Sequence, residues 1–124
     1  MDKILLAGFG GFIGSALRYW MSVMVYRSLG QDFPYGTLLV NLVGCLLIGL
    51  MMSLFEHRFV VSPNVRILLS IGVLGGFTTF SSFSYETISL VREGSYYLGM
   101  INVFLNVSLC LAGTAIGGVV AKLL

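Results

Sequence analysis

In a chain of 124 residues, 57% are hydrophobic, 10% are charged and the mean hydropathy is +0.98, whereas an ordinary soluble domain carries about 25% charged residues. Too few polar side chains remain to coat a globule in water, which excludes a soluble enzyme. The formal charge of +2 sits on scattered side chains rather than in the basic stripe that nucleic acid requires.

One crossing of the hydrocarbon core takes about 20 apolar residues, so the whole chain, residues 1–124, reads as a single domain of four spans with short connections. The first span runs from Ile4 to Tyr26. It is too long for a signal-peptide core and lacks a clear cleavage site, so it reads as a retained helix. The connection from Arg27 to Pro34 contains helix breakers, Gly30 and Pro34 among them. A second span extends from Tyr35 to about Phe55, before the polar Glu56, His57 and Arg58. Ser62 is placed to cap the third helix with Pro63 in its first turn, and that span runs from Val65 to about Leu90. Arg92, Glu93, Gly94 and Ser95 form the last connection. Tyr96 to about Leu123 makes the fourth span, with Tyr96 and Tyr97 as interfacial anchors.

An even number of spans puts both termini on one side, with Lys3, Arg58, Arg66 and Lys122 facing one compartment and Arg27 and Arg92 the other. This is a weak bias of basic residues, and orientation follows strong ones, so insertion either way up is expected. The glycine pairs Gly10 with Gly14, Gly72 with Gly76 and Gly113 with Gly117 have the spacing that lets helices approach closely in lipid. The run from Gly8 to Ile13 resembles a dinucleotide loop, but Ile13 stands where the last glycine belongs and no strand precedes it. Cys45 and Cys110 lie in apolar runs and suggest neither a disulfide nor a metal centre.

The stretch Gly72, Val73, Leu74, Gly75, Gly76, Phe77, Thr78, Thr79, Phe80, Ser81, Ser82, Phe83, Ser84 makes the third span the most polar at its centre. Adjacent glycines followed by two threonines form poor continuous helix, and a break there frees carbonyls able to hold a small hard cation. Phe80 and Phe83, three residues apart, share a helix face. Ring edges are electropositive, so this pair, set among the hydroxyls of Thr79, Ser81, Ser82 and Ser84, suits a small dehydrated anion. Thr37 and Asn41 line one face of the second span, and Asn102, Asn106, Cys110 and Thr114 follow at four-residue steps on the fourth. Such buried polar tracks mark either interhelical bonding or a pore. Arg18 reads equally as a charge at an anion vestibule or as a structural anchor, Glu86 as a structural or mouth residue, and His57 as solvated.

With these residues in hand, the chain resembles the Fluc family of fluoride channels, also called CrcB proteins. The resemblance spans the whole length and rests on the Gly10 to Tyr19 segment, on Asn41 closing Gly36, Thr37, Leu38, Leu39, Val40, Asn41, and above all on Gly75 to Phe83, whose pattern of glycines, threonines, Phe80, serines and Phe83 is filled throughout. The resemblance implies an all-α bacterial inner-membrane protein with its third helix broken near the middle, paired as an antiparallel dual-topology homodimer with two pores. Such a dimer lets fluoride leave passively, down its electrochemical gradient. By the same resemblance, Phe80 and Phe83 face the fluoride route and Asn41 offers an amide to it. Ser81, Ser82 and Thr114 extend the polar track, and the carbonyls of Gly75 and Thr78 from both subunits hold a structural sodium ion. Thr37 and Asn106 belong with these as pore candidates on the tracks named above. Two other readings compete. A small multidrug antiporter needs a carboxylate within its first span, where this chain has Arg18, and a noncatalytic assembly subunit leaves the polar centre around Phe80 without a purpose.

Overall fold

The computed structural model describes residues 2–124, all in helices and short connections. Helix α1 is Asp2–Leu29 and α2 is Tyr35–His57. The third span, Pro63–Arg92, is divided into α3 (residues 63–77) and α4 (Phe80–Arg92). Helix α5 is Tyr96–Leu123. The helices form four stretches long and apolar enough to cross a membrane, which makes the chain a multi-pass membrane protein.

The helices overrun the apolar segments by a turn or less, because nothing in the flanking polar residues stops them. Helix α1 continues past Tyr26 until Gly30, whose φ of 85° only glycine adopts readily, and the Gly30 N–H closes the end on the Tyr26 carbonyl at 2.9 Å. Ser62 caps α3 as expected, accepting from the Val65 N–H at 3.3 Å.

The third span breaks near its middle as expected, at the two threonines of the glycine–threonine stretch. The glycines Gly75 and Gly76 remain helical, and the chain goes extended at Thr78 and Thr79. The reason lies in close contact with α1. A Cβ on Gly76 would stand 2.6 Å from the Gly11 carbonyl oxygen, one on Gly72 would stand 2.8 Å from the Gly10 Cα, and one on Gly14 would collide with the Val73 carbonyl. These glycines therefore bring the α1 and α3 backbones together rather than loosening the helix. Just before Gly76, Ile67–Leu74, which includes Gly72, is wound as a π-helix, a wider turn that often marks functional sites.

Matched positions rise together in α1 and α3 (Gly10 with Gly72, Gly14 with Phe77), so these helices run parallel. Helices α2 and α5 are parallel too. Asn41 meets Asn106, Gly49 lies against Thr114 and Ser53 bonds the Gly118 carbonyl, a constant register along both. Tyr26 against Gly36 joins α1 to α2, and Val91 against Gly99 joins α4 to α5. Lipid tails are as apolar as leucine, so these close approaches and a few interhelical hydrogen bonds, rather than the hydrophobic effect, hold the bundle.

Candidate functional site

The break is held by one side chain. Thr78 (φ −81°, ψ 159°) and Thr79 (φ −151°, ψ 112°) are extended, and a buried extended peptide needs partners for its N–H and its carbonyl. Asn41 supplies both: its Oδ1 accepts from the Thr79 N–H at 2.8 Å and its Nδ2 donates to the Thr79 carbonyl at 3.0 Å. The Thr79 hydroxyl then caps α4 by accepting from the Ser82 N–H at 3.1 Å. In a continuous helix the N–H groups of Thr79 and Ser82 would bond to the carbonyls of Gly75 and Thr78. Here both go to side chains, leaving those two carbonyls without their helical donors. Two such neutral oxygens at membrane depth suit a small hard cation, so the residues fit the sodium expectation.

From Asn41 a chain of amides crosses the bundle. Its Nδ2 also donates to Asn106 Oδ1 at 3.3 Å, and Asn106 Nδ2 donates to the Asn102 carbonyl at 2.9 Å and to Asn102 Oδ1 at 3.0 Å. Asn102 Nδ2 donates to the Thr87 hydroxyl at 2.9 Å, which donates to the Phe83 carbonyl at 2.7 Å. Three buried asparagines thereby satisfy one another where an unpartnered amide would be expensive. The network ties Thr79 and the α4 side of the break to α2 and α5.

Beside this network lies a cavity of about 460 Å³, walled by Asn41, Cys45, Gly75, Thr78, Thr79, Phe80, Phe83, Asn106 and Cys110 with mostly aliphatic neighbours. The Phe80 and Phe83 rings meet edge to face, centroids 5.3 Å apart and planes at 63°. Phe83 is 8% exposed and Phe80 79%, so the first anchors the pair and the second projects from the chain. Around the start of α4 the hydroxyls cluster: Thr79 Oγ1 lies 3.2 Å from Ser81 Oγ and donates to Ser82 Oγ at 3.0 Å. A helix N-terminus carries partial positive charge, and α4 presents its own at the middle of the third span.

Of the expected residues, Phe80, Phe83, Asn41, Asn106, Gly75 and Thr78 line this one cavity, with Ser81 and Ser82 bonded to Thr79 at its edge. Both Asn41 amide protons are engaged within the protein. Thr37 stands apart, a turn before Asn41, where its hydroxyl donates to Glu86 Oε1 at 2.8 Å. Thr114 is exposed and meets Gly49 through its backbone, away from the cavity. Arg18 is half-buried on α1 and lines neither this cavity nor a second one. That second cavity, of about 420 Å³, is bounded by Tyr26, Asp32, Pro34, Glu86 and Glu93 near the ends of the spans, and it puts Glu86 beside a mouth. Sequence reasoning missed Thr87 as the end of the amide chain, since a lone threonine in a helix gives no sign of what it will meet.

A family model described as CrcB-like protein, Camphor Resistance (CrcB), matches residues 5–118. A Clostridium perfringens protein named fluoride-specific ion channel FluC is 44% identical over 127 residues, covering 100% of this chain and 99% of its own. A Geotalea uraniireducens protein of the same name is 45% identical over 124 residues, covering 100% of both chains. A third, from Shewanella frigidimarina, is 46% identical over 111 residues, covering 90% of this chain and 89% of its own. The chain belongs to the CrcB family. The residues matched, 5–118, span the break at Thr78 and Thr79, Asn41 and the Phe80–Phe83 pair.

Proposed function

We propose that this CrcB-family protein is a fluoride channel that lets the anion leave the cell passively, down its electrochemical gradient, and so prevents toxic accumulation. The observation that carries this reading is the meeting at one cavity of an edge-to-face phenylalanine pair, a hydroxyl cluster and a helix N-terminus, in a chain whose relatives are named for fluoride. A small anion leaving water needs positive electrostatic partners. Ring edges supply them in place of water, and hydroxyls turn their protons toward a passing charge. Neither chemical turnover nor a cofactor-driven step belongs to this reading, and the protein works as a channel rather than an enzyme.

In the same proposal Phe80 and Phe83 face the route, Ser81 and Ser82 offer hydroxyls, and Asn41 and Asn106 shape the wall. Because the Asn41 protons are already engaged, its first duty is to hold Thr79, and any bond to fluoride comes at the expense of the one to Asn106. Thr114 and Thr37 belong to the approaches, and Arg18 to a vestibule or an anchor. The functional unit is an antiparallel homodimer in lipid. The exposure of Phe80 and the weak charge bias support a second copy covering that face, giving two pores per pair. Carbonyls of Gly75 and Thr78 from both copies would hold a sodium ion at the centre, where its positive charge steadies the unpaired oxygens.

Fluoride efflux from liposomes tests the residue roles. Phe80→Ile and Phe83→Ile are expected to depress efflux while the dimer stays assembled, and unchanged efflux in both would overturn the aromatic role. Reporter fusions at the C-terminus are expected on both sides of the membrane, and a single orientation would overturn the antiparallel pairing.

A further inference from the structure

Two thiols take no part in the proposal above, yet the register of the bundle sets them face to face. Along the parallel α2 and α5, Asn41 meets Asn106 at 3.3 Å and Ser53 reaches the Gly118 carbonyl at 3.3 Å. The same offset, applied one turn past Asn41, pairs Cys45 with Cys110. Both are free, half-buried neighbours lining the same cavity. Gly49 and Gly113 keep the helices close on this stretch, Gly49 against the Thr114 backbone and Gly113 with room for a Cβ only 3.5 Å from the Leu42 carbonyl.

We propose that Cys45 and Cys110 form a two-coordinate site for a soft d10 cation, with Hg2+ the best fit and Ag+ or Cu+ of the same class. The ligand count selects the ion. Among the described residues no third His, Cys, Asp or Glu is grouped with these two, so a four-ligand zinc centre is out of reach. Magnesium and calcium want several oxygens. Soft thiolates with nothing else nearby suit an ion content with two soft donors. On binding, each thiol gives its proton to water and a sulfur–metal bond replaces each S–H bond, so one Hg2+ displaces two protons and the product is neutral. Neutrality favours the mercuric ion in a wall this apolar.

Cys45 and Cys110 each sit one helical turn beyond the asparagine that borders the break, so a metal held between them narrows the cavity. Block of fluoride passage follows from the fluoride reading, whereas the metal site itself does not depend on it.

The test is titration of the purified full-length protein with HgCl2 alone, following the mercury–thiolate absorbance and the remaining free thiols. The expected endpoint is one ion per chain with both thiols consumed. Against glutathione as competitor, wild type is expected to keep its mercury at roughly 100-fold higher competitor than Cys45→Ser or Cys110→Ser, because the second sulfur binds intramolecularly. Alanine variants at both positions, checked for an unchanged elution volume, guard against misfolding. Two ions per chain, or single variants that hold mercury as tightly as wild type, would overturn the site. In liposomes Hg2+ is expected to slow fluoride efflux in wild type and not in the double serine variant. One ion bound per chain with efflux untouched leaves the metal site standing and counts against the cavity as the fluoride route.

Discussion

Replacing Asn41 with leucine removes the groups that, among the described residues, satisfy the extended Thr79 peptide. The variant leaves the Thr79 N–H without its 2.8 Å acceptor and the Thr79 carbonyl without its 3.0 Å donor, both buried beside the cavity. Each buried polar group stranded in this way costs ~1–3 kcal/mol, so the pair comes to roughly 2–6 kcal/mol. Asn106→Leu makes the comparison. It takes away one acceptor from an Asn41 Nδ2 that still reaches Thr79, and two donations to Asn102, whose own Nδ2 remains bonded to Thr87. The bond to Asn41 crosses between helices, where such bonds average ~0.6 kcal/mol, and the two to Asn102 lie within α5, so that variant should lose about 1–2 kcal/mol. Unfolding in mixed micelles with rising SDS, followed by helical circular dichroism, gives both numbers on the same scale. If Asn41→Leu proves no more destabilising than Asn106→Leu, the clamp on Thr79 is not what holds the break.

Other substitutions probe the remaining contacts. Gly14→Ala puts a methyl against the Val73 carbonyl and 2.8 Å from the Phe77 amide nitrogen, whereas nothing stands within 4 Å of a Cβ on Gly8. The first should cost ~1–3 kcal/mol through overpacking and Gly8→Ala should be close to neutral, as the same SDS titration will report. Thr37→Val and Glu86→Leu, combined in a double-mutant cycle, should show a coupling of about 0.5–3 kcal/mol for the Thr37–Glu86 hydrogen bond, the span from a neutral to a charge-assisted bond, and additivity would show that bond to be idle. Within one chain Phe83→Ile should destabilise by about 1–2 kcal/mol more than Phe80→Ile, because a core aromatic leaves a cavity while Phe80 is 79% exposed; equal losses would show that a second copy buries Phe80 as deeply.

The spans were legible because apolar runs of this length have only one use in water-free surroundings, and the fourth matches Tyr96–Leu123 end to end. The break was legible as a stretch, two glycines followed by two threonines, and the structure puts it at the threonines. Gly76 stays helical against the Gly11 backbone on α1, a constraint carried by the partner helix and invisible in the third span alone. The π-helical turn of Ile67–Leu74 is likewise not signalled by the spacing of its residues. At the site, spacing along a single helix grouped Phe80 with Phe83, whose rings meet, whereas the meeting of Asn41 with Asn106 joins two helices and came only with the fold. Spacing also recommended Thr114, which continues the stripe of α5 past the end of the cavity. Periodicity gives the face of a helix and not how far along it a cavity reaches. The use of Asn41 as a clamp for Thr79 required knowing which backbone groups the break would strand.

The most direct measurement is fluoride efflux from liposomes containing the purified protein, with chloride as the competing anion and a potassium ionophore to dissipate charge. The account predicts rapid loss of fluoride with little loss of chloride, and a well-folded dimer that releases no fluoride, or releases both anions equally, would contradict it.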